Sequence, residues 1–175
     1  MSAHVPDAAG RIAALCAEAA AAFGVPLDAA QCALLEQYAG LVAKWQRITN
    51  LTGAIDAEAF AREHVLDALA VVPYVQGHRV LDVGSGNGLP GIVLAIARPD
   101  LAVCLLEPRA RRARFLTQAR IELGLARVEV VCARVERHHP AEAYDVIVAQ
   151  AFAALGTLLA ATAHLRGPAT RVLAL

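Results

Sequence analysis

The chain lacks any long-range electrostatic character. Its 175 residues carry 16 basic and 16 acidic side chains and no net charge, and the isoelectric point is about 7.0. The missing positive field counts against non-specific attraction to nucleic acid, so contact with a polyanion has to come from a local patch. Lysine is nearly absent: Lys44 is the sole lysine among the basic residues, which reads as coding bias before function. Hydrophobic residues make up 58% of the chain. Even so, no apolar run reaches the roughly 18 residues of a membrane span, because Arg, Asp, Glu or Pro interrupts each one. The start, Met1-Ser-Ala-His-Val-Pro-Asp7, lacks the basic and apolar regions of a secretory signal. A cytoplasmic location without membrane contact is the expectation. Cys16, Cys32, Cys104 and Cys132 contain no pair at metal-ligand or redox spacing. Cys104 and Cys132 fall within expected strands, where a small buried thiol is the simple reading.

What is present divides into two rhythms. Residues 11–23 are Ala-rich and helical, with Gly24 as C-cap. Asp28 is placed to N-cap the next helix, which runs to about residue 48. There Leu34, Leu35, Tyr38, Leu41, Val42 and Trp45 recur at helical spacing. A third helix is expected over 57–72, ended by Pro73. From Gly77 the pattern becomes strand and helix in alternation. Strands are expected at 79–83, 101–107, 128–132, 145–149 and 170–175, with helices at 108–123 and 155–164 and a turn at Arg166-Gly-Pro168. Short apolar strands alternating with helices predict a parallel α/β sheet covered on both faces. The expected organisation is a helical cap over 1–76 and a sheet domain over 77–175, in one compact unit.

Ligands in such sheets bind beyond the carboxyl ends of the strands. The turn after the first strand, Asp82-Val-Gly-Ser-Gly-Asn-Gly-Leu-Pro-Gly91, is therefore the candidate cradle. The register Gly86-x-Gly88-x-x-Gly91, with Glu107 about 20 residues on, fits a dinucleotide pattern and a nicotinamide-dependent oxidoreductase. Three details favour S-adenosylmethionine instead. The register that begins as the strand ends starts at Gly84 and has Leu89 in its third position. Asp82 opposes a pyrophosphate and suits a ligand with an ammonium and a sulfonium. Pro90 removes a backbone donor that an anion would use. Glu107 then takes the ribose diol.

A resemblance rests on three quoted stretches: Trp45-Gln-Arg-Ile-Thr-Asn-Leu-Thr52, Arg62-Glu-His-Val-Leu-Asp-Ala-Leu69 and Leu81-Asp-Val-Gly-Ser-Gly-Asn-Gly-Leu-Pro-Gly91. Arg111-Arg-x-Arg-Phe-Leu116 and Ala151-Phe-Ala-Ala-Leu155 add to it. Together they resemble the bacterial 16S rRNA guanine-N7 methyltransferases, the glucose-inhibited division protein B family, over nearly the whole chain. The resemblance implies a Rossmann-like S-adenosylmethionine-dependent methyltransferase sheet with an N-terminal helical cap. It implies methyl transfer to N7 of a guanosine in the 530-loop region of 16S rRNA, with that rRNA or the small ribosomal subunit as partner. Cofactor-binding residues are expected at Asp82, Gly84, Ser85, Gly86, Gly88, Leu89 and Glu107, with Val135 and Glu136 flanking the adenine. Arg111 and Arg112 are the substrate-binding expectation, within a basic stretch that also holds Arg109, Arg114, Arg120 and Arg127.

The chain departs from the family in two places. Gln150 stands where the family carries an arginine, which exchanges a guanidinium for a neutral amide. The family's sixth and seventh strands are also expected to be missing after Leu175, which keeps a non-catalytic or truncated cofactor- or RNA-binding relative as the alternative. Guanine N7 has a free lone pair at neutral pH, so no general base is needed and no catalytic residue is assigned. His64 and Asp67, three apart on one helix, are read as a fold-supporting pair or a contact near the site. Asn50 is read as a turn residue. His138-His139 is read as a loop feature and not a metal site. Trp45 is expected to pack the cap onto the sheet domain.

Overall fold

In the computed structural model, residues 10–49, 56–151 and 154–175 are described. Helix α1 (Arg11–Ala22) ends in a Schellman motif, with Gly24 N–H on Ala21 O at 3.1 Å and Val25 N–H on Ala20 O at 2.8 Å. Helix α2 (Ala29–Thr49) begins with a reciprocal cap. Gln31 N–H donates to Asp28 Oδ1 at 2.7 Å, and Asp28 N–H donates to Gln31 Oε1 at 2.9 Å. The expected third helix is there but broken in its middle. Helix α3 (Ala57–Phe60) is capped by Asp56, passes into a π-turn at Ala61–Val65, and resumes as α4 (Leu66–Val71). Pro73 lies inside a closing 3₁₀ turn, Val72–Tyr74.

The sheet is β1 (Arg79–Val83), β2 (Ala102–Leu106), β3 (Val128–Val131), β4 (Tyr144–Ala149) and β5 (Arg166–Ala174). All neighbours are parallel, in the order β3-β2-β1-β4-β5. Helices α5 (Gly91–Ala97), α6 (Ala110–Glu122) and α7 (Leu155–Ala161) connect them. Strand order reverses between β1 and β4, which sets the binding crevice at their carboxyl ends.

Alternation along the strands sorts the core. Val80, Val103, Leu105, Val146 and Val148 join one large apolar cluster with α5, α6 and the cap residues Cys16, Leu35, Tyr38, Phe60 and Leu69. Leu81, Val83, Cys104, Leu106 and Ile147 face a smaller cluster with Leu158 and Leu165. Trp45 packs edge-to-face on Phe115 at 5.6 Å and so joins α2 to α6.

Two sequence expectations need correction. Arg166-Gly-Pro168 is not a free turn: it is the start of β5, accommodated by a register shift between Tyr144 and Val146. Pro168 is tolerated because β5 is an edge strand among the described residues. Cys132 is not buried in a strand: β3 stops at Val131, and the thiol is exposed. Its Sγ lies 3.9 Å from Pro108 O. The other thiols are buried. Burial pushes Cys16 up to about 12 and Cys104 up to about 11, which makes both inert. Asn50 lies outside the described residues. Among those residues, no helix is long and apolar enough to cross a membrane.

Candidate functional site

The carboxyl ends of β1, β2 and β4 enclose a cavity of about 480 Å³. Its wall brings together Gly84, Ser85, Gly86, Asn87 and Leu89 from the loop after β1, and Glu107 to Arg109 from the end of β2. Arg112 of α6, Gln150 and Ala151 beyond β4, and His64 of the π-turn complete it. A smaller cleft of about 90 Å³ continues past Gly84 between Val83, Leu106, Ala133, Val135 and Glu136.

The loop is folded by its own hydrogen bonds. Gly84 N–H and Ser85 N–H donate to Leu106 O at 2.8 and 3.1 Å, which fastens the loop to β2. Ser85 O accepts Gly88 N–H at 2.6 Å and Leu89 N–H at 3.2 Å. Gly91 N–H is taken by Asp82 Oδ2 at 3.0 Å, and Ile92 N–H by Gly88 O at 2.7 Å. The Leu89-Pro90 bond is cis, and Pro90 brings no donor. The start of α5 thus spends its N–H groups inward, and a pyrophosphate would find few to bind.

Glu107 is built for a diol. It is 2% exposed, and its oxygens accept Gly86 N–H at 3.0 Å and Arg109 N–H at 2.8 Å. A carboxylate has about four acceptor sites, so each oxygen keeps one lone pair directed elsewhere. The wall formed by Gly86 is low, and a φ of +53° suits only a residue tolerant of the left-handed region. The adjoining cleft is mostly apolar, with Val135 buried at its side, and is shaped for a flat base. A buried acid with spare lone pairs, a low glycine wall and an apolar slot together fit an adenosyl group lacking phosphate.

The structure gathers most of the expected cofactor residues but sorts them into two layers. Gly84, Ser85, Gly86, Leu89 and Glu107 line the cavity, and Val135 and Glu136 line the cleft. Asp82 and Gly88 are in neither wall. A Cβ on Gly88 would strike Ile92 at the back of the loop. Asp82 shares its face of β1 with Val80 and is flanked in register by Leu105 and Val148, so its carboxyl points under α5. It is fully buried, Oδ1 has no partner, and burial pushes the group up to about 8 despite the Gly91 N–H. Asp82 thus lies beneath the loop rather than in the cavity wall, and burial disfavours its ionised form. Arg112 reaches the cavity, as does Arg109, whereas Arg111 is exposed outside its wall. Arg120 is structural, donating to Val128 O at 3.3 Å. His64 faces the cavity while Asp67 is exposed away from it, so the two do not act as a pair there. His138 Nε2 instead meets Tyr144 Oη at 2.7 Å at the far end of the sheet.

Gln150, which stands where the resemblance puts a cofactor-site arginine, is in the wall, whereas Asn87 and Ala151 were not site expectations. Asn87 is carried into the wall by the loop. Ala151 has φ +50°, unusual for a residue with a Cβ, and its N–H donates to Leu175 O at 3.2 Å. Ala151 lies just beyond β4 and lines the cavity.

Comparison with known proteins agrees with this geometry. Residues 31–175 match the family GidB, rRNA small subunit methyltransferase G. A ribosomal RNA small subunit methyltransferase G of Hydrogenovibrio crunogenus is 45% identical over 150 residues, covering 86% of this chain and 69% of that protein. Its counterpart in Stutzerimonas stutzeri is 46% identical over 154 residues, covering 87% and 72%. The S-adenosylmethionine-dependent methyltransferase SibL in its apo form superposes with a TM-score of 0.57 at 25% identity, over 67% of this chain and 37% of that one. A mutant of MtNAS in complex with S-adenosylmethionine has the same fold, with a TM-score of 0.56 at 18% identity, over 96% and 63%. Matching the family over residues 31–175 and these relatives at 45–46% identity over most of its length, this chain belongs to the GidB family of rRNA small subunit methyltransferases, which use S-adenosylmethionine.

Proposed function

We propose that the chain methylates N7 of a guanosine in the 530-loop region of 16S rRNA, with the small ribosomal subunit as its partner in the cytoplasm. The observation that carries the assignment of the site is the Glu107 carboxylate, held by Gly86 and Arg109 at the edge of the glycine loop. In this reading Gly84, Ser85, Gly86, Leu89, Glu107, Val135 and Glu136 hold the cofactor, and Asp82 and Gly88 brace the loop from below. S-adenosylmethionine, when bound, supplies an electrophilic methyl group on a sulfonium. The protein's own work is to bind, align and exclude water. Glu107 fixes the ribose, and the Val135 cleft fixes the adenine. Arg109 and Arg112 stand at the mouth, where guanidinium groups suit the phosphates flanking an extruded nucleotide. Arg111 stands beside them on α6 as a further phosphate contact. Guanine N7 needs no deprotonation, so His64 is not required as a base, and its place in the wall suits packing against the substrate nucleotide.

The test is methyl transfer from labelled S-adenosylmethionine to undermethylated small subunits and to naked 16S rRNA. Label on a single guanosine, released as 7-methylguanine, is expected. Binding of S-adenosylhomocysteine without transfer to either RNA would favour a non-catalytic binder, a reading that Gln150 in the wall supports. The cap over 1–76 and the sheet over 77–175 are proposed to act as one cooperative unit, because one apolar cluster spans both. A single thermal transition shared by all probes is expected.

A further inference from the structure

Tyr38 is a helix α2 residue whose ring is fully buried, far from the sheet's own glycine loop in sequence. Its hydroxyl nevertheless donates to Asn87 O at 2.8 Å. Asn87 lies in the loop that walls the cavity. On its other side the Tyr38 ring meets Phe60 edge-to-face at 5.6 Å, and Phe60 lies against His64 at 5.4 Å. His64 is the cap's contribution to the same wall. One buried side chain therefore stands behind both the loop and the histidine. Burial, with the nearby Asp82 behind it, holds the phenol well above its ordinary pKa, so the hydroxyl remains a donor at every working pH.

The loop needs such a support. Its backbone turns through positive φ at Gly84, Gly86 and Gly88, conformations glycine leaves soft. Leu106 O fixes the first limb, and Ser85 O takes the Gly88 and Leu89 N–H groups at the base of the other. Among the described residues the Tyr38 hydroxyl is the side-chain donor on the other limb. An Ala or Leu at this position would satisfy the helical apolar pattern equally well. The hydroxyl is what the pattern does not require.

We propose that Tyr38 is a positioning residue for cofactor binding, tying the helical cap to the glycine loop through Asn87 and backing His64 through Phe60. It touches neither cofactor nor RNA. The proposal rests on the cavity being the cofactor site, and it makes cofactor affinity depend on a cap residue outside that site.

Calorimetry with S-adenosylhomocysteine tests it on the 175-residue chain. Tyr38→Phe keeps the ring and removes the donor. Its Kd is expected to rise about three- to tenfold, the scale of one neutral hydrogen bond. KM for S-adenosylmethionine is expected to rise with it, while kcat stays within about twofold, because the reacting atoms are untouched. Cys16→Ala is the structural control: Cys16 is equally buried in the cap and is not in the cavity wall. It is expected to lower Tm with Kd unchanged. Wild-type affinity in Tyr38→Phe, or an equal loss in Cys16→Ala, overturns the proposal. Gly86→Val, whose β-branched side chain cannot take φ +53° without strain, separates the two readings. Normal binding by that variant overturns the cavity assignment, and this proposal with it.

Discussion

The two ends of the sheet hold the same device in opposite environments. At the carboxyl end, Asp82 accepts the N–H of Gly91, and a Cβ on that glycine would come within 2.6 Å of Asp82 Oδ2. At the amino end, Asp145 Oδ2 accepts His78 N–H at 2.8 Å and Arg79 N–H at 2.9 Å, and a Cβ on Gly77 would come within 2.6 Å of the same oxygen. Asp82 is sealed beneath α5, and burial raises it to about 8 against the pull of the Gly91 N–H and the Ser85 side chain. Asp145 is exposed with two donors, and the Arg79 and His78 N–H groups lower it. An aspartate bracing backbone N–H groups beside a glycine thus acts as a plain strut in water. Buried under a binding loop, it becomes a titrating group.

The comparison breaks most sharply at the glycines. In Gly91→Ala the new methyl meets Leu105 and Asp82, both locked in the core, and about 3 kcal/mol of stability should be lost together with cofactor binding. Gly77→Ala, at φ +87°, meets the exposed Asp145 side chain, its Cβ included. It should cost about 1–2 kcal/mol and leave S-adenosylhomocysteine affinity unchanged. Denaturant melts with calorimetry check both, and loss of binding in Gly77→Ala would remove the distinction between the ends.

Glu107→Gln keeps the side-chain shape but trades the carboxylate for an amide. S-adenosylhomocysteine binding should weaken by roughly 1.5–3 kcal/mol, the range for a hydrogen bond to a charged group. Unchanged affinity would place the ribose elsewhere.

The pH dependence sharpens the contrast between the aspartates. Because the folded pKa of Asp82 lies above its unfolded value, the native state keeps a proton that the unfolded chain releases between about pH 4 and pH 8. Its contribution to stability therefore falls as pH rises through that window, by at most about 1.4 kcal/mol per unit. Above about pH 8 the loss is complete. Asp82→Asn should flatten that limb. Asp145 has the opposite sign: its contribution is present above the unfolded pKa and lost as pH falls through the lowered folded value. Asp145→Asn should change only the acid limb. Urea melts from pH 3 to pH 9, in about one-unit steps, read both limbs.

Gln150→Arg should tighten cofactor binding by about threefold or raise turnover, because a charged donor roughly doubles the strength of such a bond. Identical Kd and kcat in the two proteins would show the position to be neutral here. The smallest effect concerns thiols. A limiting amount of a water-soluble thiol reagent should modify Cys132 first, and peptide mapping that finds Cys16 or Cys104 instead would contradict their burial.

The elements of the fold and the place of the candidate site were legible in the sequence. Short apolar runs alternating with helices specified the strands of a parallel sheet, and Asp28 and Gly24 marked helix ends where the caps now lie. The glycine turn and Glu107 pointed to the ends of β1 and β2 because ligands gather there in any such sheet. These signals are local, or depend on a period that one strand or helix carries alone. Strand parity even put Asp82 on the face of Val80, the face that the helices cover. Tertiary structure alone decided how deep that face lies, and so whether Asp82 meets a ligand or the start of α5. It also put Arg112 rather than Arg111 in the cavity wall, turned Arg166-Gly-Pro168 into strand, and exposed Cys132. Above all it set Tyr38 of the cap against Asn87, 49 residues away. Desolvation and contact between distant segments depend on how layers stack, which no single segment's pattern encodes.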